Sequence, residues 1–172
     1  ELLCAADPEM PTLLSGDPGR LRQILTNLAG NAGKFTHQGE VAVRVSGVLN
    51  DGCEMQNGEC LLRFSVRDTG IGIPPEKLDQ LFDKFTQAYQ STTRRFGLTG
   101  LGLSTCRELV DLMGGKIWIE DSELGKGTTI AFTVPFELQP QAIEHRRRLI
   151  DQVGPLLAGV HVLVVDDTKV SC

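Results

Sequence analysis

The chain has 172 residues, room for one domain and part of a second, and its 41% hydrophobic and 23% charged residues are those of an ordinary globular protein. A net charge of −5 argues against a broad nucleic-acid surface, so any anion site must be local. No apolar run approaches the roughly 20 residues that cross a bilayer, and the first residues do not read as a signal peptide. Five scattered cysteines (Cys4, Cys53, Cys60, Cys106, Cys172) lack metal-ligand spacing and fit a reducing compartment. The expected location is the cytoplasm, whether or not a parent protein is anchored to a membrane.

The chain opens in a strand-like ELLCAA and stops in VLVVDDTKVSC, as an excised piece of a longer protein would. SGDPGRLRQILTNLAGNAGKFT predicts a helix, with Asp17 as N-cap and Pro18 at the first helical position. Leu21, Ile24, Leu25, Leu28, Ala32 and Phe35 recur along it at helical spacing. EVAVRVSGVL and CLLRFSVRD alternate apolar and polar residues as half-buried strands do, joined by the turn-rich NDGCEMQNGE. PPEKLDQLF reads as a short helix, and residues 84–99 as a polar, mobile loop with the basic tip TTRRF. A helix over Leu101–Met113 ends at a Gly114-Gly115 C-cap, and KIWIEDSELGKGTTIAFTVPF reads as a hairpin. Helices between mostly hairpin-linked strands favour a two-layer α/β sandwich over a doubly wound sheet. Residues 137–159 read as a linker, and VHVLVVDD as a buried parallel strand ending in two acids.

Three constellations carry chemistry. The first helix bears a second stripe, Arg20, Gln23, Asn27, Asn31 and Lys34, within a sector roughly 80° wide beside the apolar one. A solvated polar face is the plain alternative. Two asparagines four apart have little reason to recur on such a face, however. An Asn amide oxygen can ligate Mg²⁺, an ion held mainly through substrate phosphates, while Lys34 can meet a phosphate.

In RFSVRDTGIGIP, Leu62, Phe64, Val66 and Asp68 share one strand face, so Asp68 ends an apolar row where a carboxylate needs donors. It either caps the following glycine turn or accepts from an exocyclic amine such as that of adenine. Gly70 and Gly72 would let the backbone pass close to a flat ring. In GLTGLGLS, Gly100 and Gly102 precede a helix whose free amides and positive dipole end suit an anion. No Gly-Lys-Ser/Thr follows, so this is not a Walker loop. Thr92, Thr93, Arg94 and Arg95 just upstream either close over a triphosphate or form an exposed basic loop.

Taken in order, these motifs closely resemble the ATP-binding catalytic domain of sensor histidine kinases, whose nucleotide fold is shared with gyrase, mismatch-repair and heat-shock-chaperone ATPases. NLAGNAGKFT resembles the N box, DTGIGIP the G1 box, LFDKFTQ the F box, GLTGLGLS the G2 box and GKGTTIAFTVP the last glycine motif. The resemblance covers residues 1–136 and implies an α+β, Bergerat-type fold, a mixed and mostly antiparallel sheet covered by helices on one face. It further implies that ATP and Mg²⁺ are the cofactors, with Asn31 on the metal, Asn27 nearby and Lys34 at the phosphates. Phe35 would pack against adenine and Asp68 would accept from its amino group. Gly70, Gly72, Ile73 and Thr128 would also contact the nucleotide, and Gly100, Leu101, Gly102 and Leu103 would line the phosphates beneath a lid carrying Thr92, Thr93 and Arg94.

In hydrolytic relatives a Glu four residues before the metal-binding Asn activates water. Here that position is Asn27, which cannot act as a base, and phosphoryl transfer is favoured over hydrolysis. Two positions depart from the family's pattern. Leu98 stands where many members have Gly, and Gln87 where many kinases carry Arg, leaving the cationic role to Arg94 or Arg95. The family's phosphoacceptor His lies in a preceding dimerisation domain, and none of His37, His145 or His161 sits in such a motif. The implied partners are that histidine-containing domain, within a homodimeric parent, and a receiver domain or response regulator. Residues 160–172 resemble the first strand of a receiver domain, with Asp166 and Asp167 as its acidic pair, which implies a hybrid kinase. A degenerate docking module and a gyrase-type ATP-hydrolysing clamp are the alternatives.

Overall fold

The computed structural model describes residues 1–8, 10–11, 13–47, 59–78, 80–82 and 102–139. Strands β1 (Leu2–Ala6) and β2 (Leu14–Ser15) precede helix α1 (Pro18–Phe35). Strands β3 (Val41–Gly47) and β4 (Glu59–Asp68) follow, then the one-turn helix α2 (Pro75–Leu78) and helix α3 (Gly102–Leu112). Strands β5 (Lys116–Glu123) and β6 (Gly127–Leu138) form the last hairpin.

Local chemistry sets the helix ends. The Asp17 carboxylate accepts from the Arg20 N–H at 3.0 Å, satisfying one of the orphan donors of the first turn, and Pro18 supplies a preset φ. At the end of α3 the Gly115 N–H bonds to the Val110 carbonyl at 2.9 Å and the Gly114 N–H to that of Asp111 at 3.0 Å. This is a Schellman cap, and it needs the left-handed φ of 73° that Gly114 supplies.

The strands form one mixed sheet in the order β1-β3-β4-β6, with β2 and β5 both paired to β6. Only the β1–β3 pairing is parallel among these ladders. The inward row of β4, Cys60, Leu62, Phe64 and Val66, meets Phe132, Val134 and Phe136 of β6. The rings of Phe64 and Phe132 stack at 4.8 Å between centroids. Ile24, Leu28 and Ala32 of α1 and Cys106 and Val110 of α3 join the same cluster, so both helices cover one face of the sheet. This is the two-layer α+β architecture expected from the motifs. Each fully buried aliphatic or aromatic side chain in it is worth about 1.5–3 kcal/mol. The opposite face is polar, and on it Arg63 grips the Glu120 carboxylate through bonds of 2.5 and 2.6 Å.

Candidate functional site

The described residues form a cleft at one end of this sandwich, lined by Asn31, Phe35, Asp68, Ile71, Gly72, Ile73, Leu81, Leu103, Thr128 and Ile130. It lies where the C-terminal half of α1, the end of β4, the loop after β4, the start of α3 and the start of β6 converge. Apolar side chains make its walls and three polar ones, Asn31, Asp68 and Thr128, punctuate them. Such a slot suits a flat, largely apolar ring whose edge carries polar groups.

Asp68 ends the apolar row of β4, as its spacing predicts, and sits opposite Thr128 in the β4–β6 ladder. Its carboxylate accepts the Gly70 N–H at 2.8 Å and the backbone N–H of Thr128. Burial pushes its pKa above the ordinary 3.8, and the two backbone donors pull partly against that rise. Asp68 thus caps the glycine turn and faces the cleft at once.

The glycines of DTGIGIP serve the protein's own backbone. A Cβ on Gly70 would strike the Phe35 carbonyl oxygen and lie 2.8 Å from Asp68 Oδ1. Gly72 has a φ of 70°, and a Cβ there would strike the Glu123 carbonyl oxygen. They let the loop slip between the end of α1 and the β5–β6 turn. The Ile71 N–H then donates to the Phe35 carbonyl at 3.4 Å, and the Gly125 N–H to the Ile71 carbonyl at 2.9 Å. The Ile73 N–H donates to Ser122 Oγ at 2.9 Å, and Ser122 Oγ lies 3.0 Å from Thr128 Oγ1.

The polar stripe of α1 divides. Arg20 pairs with Asp17 at 3.1 Å near the helix start. The Asn27 amide donates to the thiol of Cys106 on α3, whose own hydrogen-bond acceptor is the Ile24 carbonyl at 3.9 Å. Asn31 faces the cleft and the first residue of α3, where a Cβ built on Gly102 would lie 3.8 Å from Asn31 Nδ2. Lys34 is half-buried, is engaged by a neighbouring group and is not among the cleft-lining residues. The structure therefore brings Asn31, Phe35, Asp68, Gly72, Ile73, Leu103 and Thr128 together, with Gly70 and Gly102 directly behind. Thr92, Thr93, Arg94, Arg95, Gly100 and Leu101 lie outside the described residues, as do Gln87, Leu98 and the acidic pair Asp166–Asp167. Ile71, Leu81 and Ile130 are walls that the motif reading did not single out.

No group of three or more His, Cys, Asp or Glu among the described residues could by itself hold a metal ion. The donor that fits a hard cation is the Asn31 carboxamide, poised beside the N-terminus of α3 where phosphate oxygens would supply the remaining ligands. No described helix is long and apolar enough to cross a membrane.

Comparison with known proteins agrees with this geometry. The chain is 37% identical over 163 residues to the peroxide stress-activated histidine kinase mak2 of Schizosaccharomyces pombe, covering 92% of this chain and 7% of that protein. It is 46% identical over 138 residues to hybrid signal transduction histidine kinase L of Dictyostelium discoideum, covering 80% of this chain and 8% of that one. The chain thus spans less than a tenth of the length of either relative. Among solved structures, full-length ShkA in complex with AMPPNP superposes with a TM-score of 0.64 at 38% identity, over 81% of this chain and 26% of that chain. The family model described as histidine kinase-, DNA gyrase B-, and HSP90-like ATPase matches residues 16–138, and the chain belongs to that family, with the ATP-binding domains of sensor and hybrid histidine kinases as its relatives.

Proposed function

We propose that the chain binds Mg-ATP and supplies the γ-phosphoryl group to a histidine on a separate dimerisation domain, in two-component signal transduction. The observation that carries this reading is the convergence of Asp68, Asn31 and the N-terminus of α3 on a single apolar-walled cleft. Phe35, Ile71, Ile73, Leu81 and Ile130 would sandwich the base, and Asp68 would accept from its amino group. Asn31 would hold Mg²⁺ with the phosphates at the first amides of α3, under a lid that includes Thr92, Thr93 and Arg94. When bound, the ion would offset phosphate charge, the main electrostatic need of phosphoryl transfer.

Asn27 stands where a hydrolase would need a base. It is an amide committed to the Cys106 thiol and does not line the cleft. Transfer to an external acceptor therefore fits better than hydrolysis of ATP by a clamp. The reading extends to the longer parent, with a phosphoacceptor domain before this one, a receiver after it and a homodimeric assembly. Boundaries at 1–136 for the ATP-binding domain, 137–159 for a linker and 160–172 for the start of the receiver belong to the same proposal.

The test is a titration with a non-hydrolysable ATP analogue, with and without Mg²⁺, on the wild type and Asn31→Ala. Mg²⁺-dependent binding that the substitution abolishes, followed by phosphotransfer to an added dimerisation domain, is the expected result. A folded wild type that binds no nucleotide would sink the proposal.

A further inference from the structure

We propose that the apolar groove at the start of α1 is a docking site for this chain's own next segment, residues 140–153. The stretch after β6 would then be a clasp on the domain rather than a free tether, a role that stands apart from nucleotide binding.

The groove has a volume of about 490 Å³, and Met10, Leu14, Leu21, Val45, Phe64 and Phe136 make its walls. Phe64 and Phe136 belong to the main cluster, so the groove opens onto the core itself. Its rim is tightly built, since a Cβ on Gly16 would lie 2.7 Å from the Phe136 ring. Ser15 and Gln139 supply the polar side chains of its lining. An ordered water wants two to four polar partners, so a space of this size and character suits aliphatic side chains better.

The two ends of the chain decide the occupant. The N-terminal amine donates to the Gly39 carbonyl at 2.9 Å, at the cleft end of the sheet, where β3 begins opposite Asp68. The other end of the described chain is at the groove. Gln139 is on its lining, and the Gln139 N–H donates to the Leu13 carbonyl at 3.3 Å. Residues 140–153, PQAIEHRRRLIDQV, follow directly and lie outside the described residues. On a helix, Ile143, Leu149, Ile150 and Val153 share a sector about 120° wide. Arg146 falls in the same sector, and its aliphatic stem can lie over an apolar rim. Four residues span at most about 14 Å, so Ile143 stays within reach of Gln139. So short a tether holds the segment at a millimolar effective concentration, which a second copy in dilute solution does not match.

Charge points the same way. Glu137 is the ladder partner of Ser15 on β2 and of Glu59 on β4. Two carboxylates directly opposite each other repel, and neither makes an ion pair among the described residues. The run Arg146-Arg147-Arg148 is the cation that would meet them as the segment settles beside Ser15.

The test puts benzoylphenylalanine in place of Ile150 in the full 172-residue chain. The dilute protein is irradiated, and the crosslinked peptides are mapped by mass spectrometry. Crosslinks within one chain to peptides carrying Met10, Leu14 or Leu21 are expected. If that variant does not fold, the same probe in place of Ile143 serves. Glu59→Lys combined with Glu137→Lys should lower the yield, because the arginine run then meets cations. An unchanged yield would overturn the charge pairing. Crosslinks elsewhere on the chain, or none, would overturn the docking. A crosslinked dimer would overturn it too, by giving the groove to a second copy. A second measurement needs no probe residue. Ile143→Glu combined with Ile150→Glu should raise the fluorescence of an added anilinonaphthalene sulfonate dye and lower the denaturant midpoint. A wild type that binds the dye as strongly as this variant has an open groove, and the proposal fails.

Discussion

Asp68 and Thr128 face each other across the β4–β6 ladder, and the Thr128 backbone N–H donates to the Asp68 carboxylate while both residues line the cleft. The pairing joins the end of one buried strand to the start of another. It explains how a carboxylate can stand at the end of an apolar row. Two backbone donors, from Gly70 and Thr128, partly offset its desolvation without neutralising it by a cation.

That environment makes nucleotide binding depend on pH. Burial holds the Asp68 pKa above 3.8, so the carboxylate gains its proton at a higher pH than a free aspartate would. Once protonated it no longer accepts freely from an amino group, and affinity for ATP should fall as pH drops through that raised value. In the empty protein the sign is opposite. A carboxyl that holds its proton more tightly when folded destabilises the fold in full above its folded pKa, and this penalty fades as pH falls through the folded pKa and is gone below the unfolded value. Asp68→Asn should therefore lose ATP binding, flatten its acid dependence, and be relatively more stable at neutral pH than near pH 4. Parallel titrations and thermal melts across that range check both signs. An Asn variant with wild-type affinity would remove Asp68 from the site.

Gly72→Ala should be among the most damaging small substitutions. A non-glycine residue at a φ of 70° costs about 1–3 kcal/mol, and here the new methyl also meets the Glu123 carbonyl. The loop would have to leave the β5–β6 turn, carrying Ile71 and Ile73 out of the cleft. Denaturant melts should show a loss of at least about 2 kcal/mol, with nucleotide affinity falling alongside. Gly125→Ala is the comparison. It shares a positive φ, 78°, but a Cβ there meets nothing within 4 Å, so it should cost less and spare the cleft.

Much of this arrangement is legible in the sequence because it depends on local rules. Asp17-Pro18 and Gly114-Gly115 announce the ends of α1 and α3, and the period-two row from Leu62 to Asp68 announces which face Asp68 shares. Ile130 follows from the same rule, two residues beyond Thr128 on β6. Ser122 does not. Counting by twos from Ile117 and Ile119 puts residue 121 on the inner face, but the ladder shifts register between Ile119 and Asp121. The extra residue returns Ser122 to the Thr128 side, and no periodicity reveals a bulge. Gly70 and Gly72 are legible as glycines that permit close approach. Their partners, the backbone of Phe35 and Glu123, are distant in sequence and appear only in the fold.

The cysteines should separate cleanly by reactivity. Cys4 is exposed, whereas Cys106 is fully buried between α1 and α3, where burial pushes its thiol up to about 11. The thiolate is the reactive form, so Cys106 should resist alkylation at pH 8 while the protein is folded. Iodoacetamide labelling followed by peptide mass spectrometry should find Cys4 modified well before Cys106, and Cys106 modified only in denaturant. Rapid labelling of Cys106 in the native protein would mean that α1 and α3 part readily.

Asn27 and Asn31 are one helical turn apart on α1, and their substitutions should have different consequences. Asn31 reaches the cleft beside Gly102, so Asn31→Ala should abolish Mg²⁺-dependent nucleotide binding with little effect on stability. The Asn27 side chain is committed to Cys106, so Asn27→Ala should loosen the α1–α3 contact. The expected cost is about 0.5–1.5 kcal/mol, the worth of one ordinary hydrogen bond. Binding should weaken only modestly, because the helix that carries Asn31 stays in place. If Asn27→Ala instead matches Asn31→Ala in lost affinity at unchanged stability, Asn27 turns toward the phosphates when nucleotide binds. Measuring both melting and binding for the pair decides between a residue that holds the helices together and one that holds the ligand.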